Sequence, residues 1–195
     1  RTPVPDMKKI AVFASGNGSN AENLIRFFRD DGTAAVSVVI TNNPAAGVIK
    51  RAQDAGVRVK KFTRQDLLSG ALLRWLKQHI NPDLIVLAGF LWLLPPDFIA
   101  ALPGRIINLH PALLPEYGGK GMYGPNVHRA VLAGKEKESG ITVHYVNERF
   151  DAGEIIFQAR CSISSGETPE SLAEKVHRLE YLHLPGIVKK LLHTL

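Results

Sequence analysis

Short apolar runs recur through the first half of the chain, at residues 9–14 (KIAVFA), 35–41 (AVSVVIT), 83–88 (DLIVLA) and 105–109 (RIINL), with a short third strand expected over 57–62 (VRVKKF). Most lack the polar alternation of a strand with one wet face, so they predict strands buried on both sides. Helix-like segments lie between them. Residues 21–29 put Leu24, Ile25 and Phe28 on one face, and residues 45–55 stop at Gly56. Thr63 can cap a helix over 65–79 with Leu68, Leu72, Trp75 and Leu76 as its inner stripe. A brief helical turn follows Pro95 and Pro96 and ends near Gly104. This rhythm predicts right-handed crossovers and an α/β fold: an open, twisted, mainly parallel sheet with helices on both faces. Ligands in such sheets sit at the carboxyl ends of the strands. Those ends carry SGNGSN (15–20), GFLWLL (89–94) and NLHP (108–111), which therefore share one rim.

The second half changes character. Residues 116–125 (EYGGKGMYGP) form a glycine-rich loop that reads either as a lid or as a passive connection. A short helix over 126–132 follows, then strands over 139–147 and 154–163, so the C-terminal part of the sheet is expected to be mixed. The closing helix begins with Thr168 as cap and Pro169 at its first position. Leu172, Val176 and Leu179 form its inner stripe, and Pro185 is expected to kink or divide it.

With 195 residues, 45% of them hydrophobic, the chain suits one soluble domain spanning 7–195. Residues 1–6 read as a disordered or appended tail before a natural start at Met7, not as a secretory signal. No apolar run reaches the length of a membrane span. The single cysteine, Cys161, excludes an internal disulfide; in its apolar strand it reads as a buried structural thiol, which fits a reducing cytoplasm. The net charge of +6 favours anionic partners. The basic stretch Lys50, Arg51, Arg58, Lys60, Lys61 and Arg64 lacks interleaved aromatic residues, so nucleic acid is not expected there.

Three polar groups stand out. Asn108 and His110, two apart on a strand end closed by Pro111, point to one side of the sheet. An amide donor beside a group that titrates near neutral pH suits acyl-group chemistry; the bland alternative is a capped polar turn. The SGNGSN turn between a strand and a helix can hold a phosphate on its amides, or Gly16 and Gly18 can simply make a tight turn. It is neither a dinucleotide fingerprint nor a Walker loop, because the third glycine and the lysine are missing. Asp151 lies in the turn NERFDAG (147–153).

ASGNGSN at 14–20, VLAGF at 86–90, INLHPALLPEY at 107–117, SGITVHYV at 139–146 and FDAGEIIFQ at 150–158 resemble, in order and spacing, the folate-dependent phosphoribosylglycinamide formyltransferase family. The resemblance covers residues 9–192 and implies a Rossmann-like formyltransferase domain: the N-terminal half would bind the ribonucleotide phosphate, the C-terminal half the folate. It implies transfer of a formyl group from 10-formyltetrahydrofolate to glycinamide ribonucleotide in purine biosynthesis, with Asn108, His110 and Asp151 catalytic and neither metal nor covalent enzyme intermediate. A protonated His110, its pKa raised by Asp151, would be the second oxyanion donor beside Asn108. Gly18, Ser19, Asn20 and Pro111 would meet the substrate and Glu180 the ribose hydroxyls. Leu91, Trp92, Leu93, Leu94, Asn108, Val146 and Asn147 would meet the folate, and Arg64 its glutamate tail. Many relatives carry Arg where this chain has Trp92. Glu180 and Arg64 read equally as solvated surface residues, and His144 as a core or cleft histidine. The expected partners are small molecules only, with the protein a monomer or weak homodimer. The alternatives are a methionyl-tRNA formyltransferase-like domain, for whose extra tRNA-binding barrel no residues remain, and a nucleotide-binding module without chemistry.

Overall fold

The apolar runs become the centre of a seven-stranded sheet in the computed structural model, which describes residues 6–195. The expected tail lies outside the described residues except for Asp6. In chain order the elements are β1 Lys8–Phe13, α1 Ser19–Asp31, β2 Ala34–Thr41, α2 Val48–Asp54, β3 Arg58–Lys61, α3 Arg64–Leu68 and α4 Ala71–His79. They continue with β4 Leu84–Ala88, α5 Pro96–Ala100, β5 Ile106–His110, α6 Pro125–Ala133, β6 Glu138–Tyr145, β7 Ile155–Ser162 and α7 Pro169–Leu192. The strand order is β3-β2-β1-β4-β5-β6-β7. β1 to β5 pair in parallel, while β6 and β7 run antiparallel. The chain direction across the sheet reverses between β1 and β4, which opens a crevice at their carboxyl ends.

Two apolar layers flank the sheet. One packs α1, α2, α6 and α7 on Ile10, Val12, Val86 and Ile107; the other packs α3, α4 and α5 on Ala11, Phe13, Ile85 and Leu87. Alternate residues of each strand thus feed opposite layers, as a strand buried on both faces requires.

Two expectations need correction. The helix over 65–79 is broken in two, because Gly70 takes φ +82° between α3 and α4. The break re-phases the first turn: Leu67 is buried and Leu68 is 65% exposed. Thr63 does cap α3, in a capping box with Asp66. α7 is not divided, since Pro185 lies inside one continuous helix. Proline has no N–H to offer the carbonyl of Tyr181 one turn back. Asn23 of α1 fills that vacancy, its Nδ2 donating to the Tyr181 oxygen at 2.9 Å. The missing helix bond becomes the joint that docks α1 on α7. A smaller difference concerns Cys161, which is half-buried in β7 rather than enclosed; burial pushes its thiol pKa up.

Candidate active site

β1 ends at the glycine turn, which starts α1. Gly18 adopts φ +77°, and a Cβ on it would lie 2.2 Å from Val48 Cγ2, so both the turn and the approach of α2 demand glycine. Gly18 has no side chain with which to cap α1, and the Asn17 Oδ1 accepts from the Ser19 N–H at 2.9 Å; the helix N-terminus faces the crevice with its partial positive charge. Asn20 Nδ2 donates to Glu180 Oε2 at 2.6 Å, and Ser19 Oγ lies 2.9 Å from His177 Nε2. Glu180 is therefore a buried group of the crevice wall, 8% exposed, and not a solvated surface carboxylate.

β5 ends one residue later than expected, with His110 as its last residue. Pairing of β5 with β6 sets Asn108 opposite His144. The loop after β6 then folds back and brings Asp151, at φ +52°, over both. Gly118 makes room for it, since a Cβ there would stand 3.1 Å from the Asp151 Cβ. Asp151 Oδ1 is 3.2 Å from Asn108 Nδ2, 3.4 Å from His110 Nδ1 and 3.7 Å from His144 Nε2; its Oδ2 accepts from the Gly119 N–H at 3.0 Å.

Hydrogen-bond partners fix the ring protons. His110 Nε2 lies 2.8 Å from the carbonyl oxygen of Tyr117, and His144 Nδ1 lies 2.8 Å from that of Tyr145. Carbonyls only accept, so both nitrogens carry hydrogen. His144 Nε2 is left to accept from Asn108 Nδ2 at 3.1 Å, and His110 Nδ1 is left facing Asp151. Burial pushes the His110 pKa down, and the pull of Asp151 and the Tyr117 carbonyl in the other direction does not offset it. This direction runs against the rise expected from Asp151, because a ring 3% exposed loses hydration that its charged form needs. Burial pushes the Asp151 carboxyl up, but the groups around it, His110 and the Gly119 N–H among them, outweigh it and hold the pKa below the ordinary value. The Asp151 carboxylate therefore faces a ring nitrogen of His110, an arrangement that can take up a proton and then hold it.

These groups close one side of a cleft of about 650 Å³. Gly18, Ser19, Asn20, Pro111 and Glu180 line it, as do Leu91, Trp92, Leu93, Leu94, Val146 and His144. Two residues expected at the folate lie outside its wall. Asn147 turns to an adjoining cavity of about 530 Å³, which shares Val146 and Arg149 with the cleft and adds Pro96 and Ile99. Arg64 lies over the Trp92 ring at 4.4 Å, one side chain removed from the lining. The sequence reading missed His128 and His177, which also line the cleft. For His128 a signal existed: it shares the apolar face of α6 with Val127 and Val131. For His177 there was none, because its exposed helix position has no pattern to mark it. Among the described residues no group of three or more His, Cys, Asp or Glu is placed to hold a metal ion, and no helix is long and apolar enough to cross a membrane.

Comparison with known proteins bears on this arrangement. Residues 8–188 match the formyl transferase family. The chain is 37% identical over 192 residues to a phosphoribosylglycinamide formyltransferase of Bacillus subtilis, covering 95% of each chain. It is 38% identical to a chloroplastic phosphoribosylglycinamide formyltransferase of Arabidopsis thaliana, covering 94% of this chain and 66% of that protein's length. The crystal structure of phosphoribosylglycinamide formyltransferase from Anaplasma phagocytophilum superimposes with a TM-score of 0.88 at 34% identity, covering 96% of this chain and 88% of that one. With its fold, its full-length sequence match and its structural neighbours in agreement, the chain belongs to the formyl transferase family, in its phosphoribosylglycinamide formyltransferase branch.

Proposed function

We propose that the protein transfers the formyl group of 10-formyltetrahydrofolate to the amine of glycinamide ribonucleotide, giving formylglycinamide ribonucleotide in de novo purine biosynthesis. One observation carries the reading. Asp151 Oδ1 lies within 3.4 Å of both Asn108 Nδ2 and His110 Nδ1, in a cleft whose other wall is the Gly18 turn. Family membership supports the reaction class, and the names of the relatives support the acceptor.

The phosphate would rest on Gly18, Ser19 and Asn20 at the start of α1, and Glu180 would accept from the ribose hydroxyls. Pro111 would back the substrate. The folate suits the opposite side: Leu91, Leu93 and Phe150 expose 44%, 39% and 38% of their surface in the cleft wall, an apolar seat for a flat ring system. Backbone groups of 91–94 and 146–151 would bind the ring edge, and Arg64, held over Trp92, would meet the glutamate tail. Bound there, 10-formyltetrahydrofolate supplies a formyl carbon open to attack by an amine.

The amine must lose its proton as it attacks. His110 Nδ1 takes that proton, and the imidazolium so formed is stabilised by Asp151. Asn108 then exchanges its 3.2 Å contact with Asp151 for the carbonyl oxygen that gains charge. Removing such a donor typically costs about 3–4 kcal/mol of transition-state stabilisation. His110, or a water ordered by Asp151, returns the proton to the departing nitrogen. The route uses no metal and no covalent enzyme intermediate. A single chain of one domain, 7–195, supplies every group named, so we take the working unit to be a cytoplasmic monomer or weak homodimer acting on small molecules alone.

The direct test mixes the purified protein with glycinamide ribonucleotide and a 10-formyl folate, following deformylated folate by absorbance and formylated product by mass. Equal amounts of both products are expected. Folded protein that forms neither would remove the proposal.

A further inference from the structure

His128 is a histidine without employment in the fold. It projects from the buried face of α6 beside Val127 and Val131 and is 6% exposed. Its Nδ1 is fully buried with no hydrogen-bond partner, and no hydrogen bond joins either ring nitrogen to another described residue. A buried polar atom without a partner costs stability, and an apolar side chain in its place would not. The ring nevertheless forms part of the cleft wall, where Glu180 and His110 are the groups whose charge reaches it.

The proton position follows from the burial. A hydrogen on Nδ1 would be a stranded donor, the costlier kind of orphan, whereas a bare lone pair there is tolerated. Burial also keeps the ring neutral by pushing its pKa down. The neutral ring therefore carries its hydrogen on Nε2, one donor in a cleft wall that also holds the carboxylate assigned to the ribose and the imidazole assigned to the amine.

A ribonucleotide held at both of those groups lays its glycinamide arm along the cleft that His128 helps to line, and that arm has one strong acceptor. We propose that His128 is a substrate-binding residue that donates from Nε2 to the amide carbonyl of the glycinamide arm. The proposal rests on the formyl-transfer reading and adds a contact specific to the acyl arm, not to the sugar phosphate.

The test uses the full chain and two probes, glycinamide ribonucleotide and ribose 5-phosphate, titrated by calorimetry into wild type, His128→Leu and His128→Gln. His128→Leu should melt no lower than wild type, because it removes an orphaned polar atom. Its Kd for glycinamide ribonucleotide should rise about fivefold to tenfold, the worth of one hydrogen bond, while its Kd for ribose 5-phosphate stays unchanged. His128→Gln, whose amide nitrogen reaches the place of Nε2, should recover part of the loss, and the effect in turnover assays should fall mainly on KM. Unchanged binding of glycinamide ribonucleotide, or an equal loss for both probes, would overturn the assignment. If His128→Leu does not fold, the ring is structural and the proposal fails, unless folded His128→Met shows the selective loss. Wild type that binds ribose 5-phosphate but not glycinamide ribonucleotide would instead remove the function on which the proposal stands.

Discussion

Asn108 and Asp151 lie 43 residues apart in the chain, yet the amide nitrogen of one stands 3.2 Å from the carboxylate of the other. The same amide nitrogen also donates to His144, so Asn108 spends both its hydrogens inside the site. Asn108→Ala therefore removes an oxyanion donor and loosens two neighbours at once. Its turnover should fall roughly 100-fold to 1000-fold with little change in substrate Kd, read by steady-state kinetics beside calorimetry.

Stability should decline on mild acidification. His110 and His128 are both held below the ordinary imidazole pKa of 6.5 by burial. Unfolding restores that value, so between the folded pKa and 6.5 the unfolded chain binds more protons and stability rises with pH. The contribution is complete above the ordinary value and is lost as pH falls below it. His177 works the other way, its pKa raised by Glu180, but it is half-exposed and more screened. Calorimetric Tm should be flat from pH 8 to 7 and fall from 6.5 to 5, less steeply in His128→Leu. A Tm that climbs over that interval would contradict the burial argument.

Asn23 should matter out of proportion to its size. It is 7% exposed and satisfies the Tyr181 carbonyl that Pro185 leaves unpaired. Asn23→Ala strands that oxygen and should cost about 1–3 kcal/mol in urea unfolding. Combining it with Pro185→Ala, which restores a helix N–H to the same carbonyl, should recover much of the loss; strict additivity would disprove the link.

Gly18→Ala forces a Cβ to within 2.2 Å of Val48 Cγ2 at a φ of +77°. The strain alone is on the order of 1–2 kcal/mol, and relieving it must shift the first turn of α1. KM for the ribonucleotide should rise at least tenfold while KM for the folate changes little. Equal changes in both would separate the glycine turn from the phosphate.

What could be read from the residues, and what could not, divides along the range of the interactions. Val12, Ile40, Val86 and Ile107 announce buried parallel strands because burial on both faces writes itself into a local run. The rim shared by the glycine turn, 89–94 and Asn108 follows from that topology. The break at Gly70 was hidden, since Leu72 and Leu76 keep helical spacing while a left-handed glycine resets the phase before them. Asp151 could be placed against Asn108 only through family resemblance. Its position depends on β5–β6 pairing, on a reversed loop and on the room left by Gly118, none of which has a local signature. The direction of the His110 shift was hidden for a related reason: a neighbouring carboxylate is visible in a motif, whereas the depth of burial that outweighs it is not.

If the Asp151 carboxylate enables proton transfer through His110, single-turnover formyl transfer by Asp151→Asn should reveal it. The asparagine can still accept from the Gly119 N–H, so the loop should stay closed and both substrates should bind within about threefold of wild type. The formyl-transfer step should slow by a factor of roughly 100 or more. Transfer at close to the wild-type rate by a variant confirmed to be folded and saturated would contradict this role of the carboxylate.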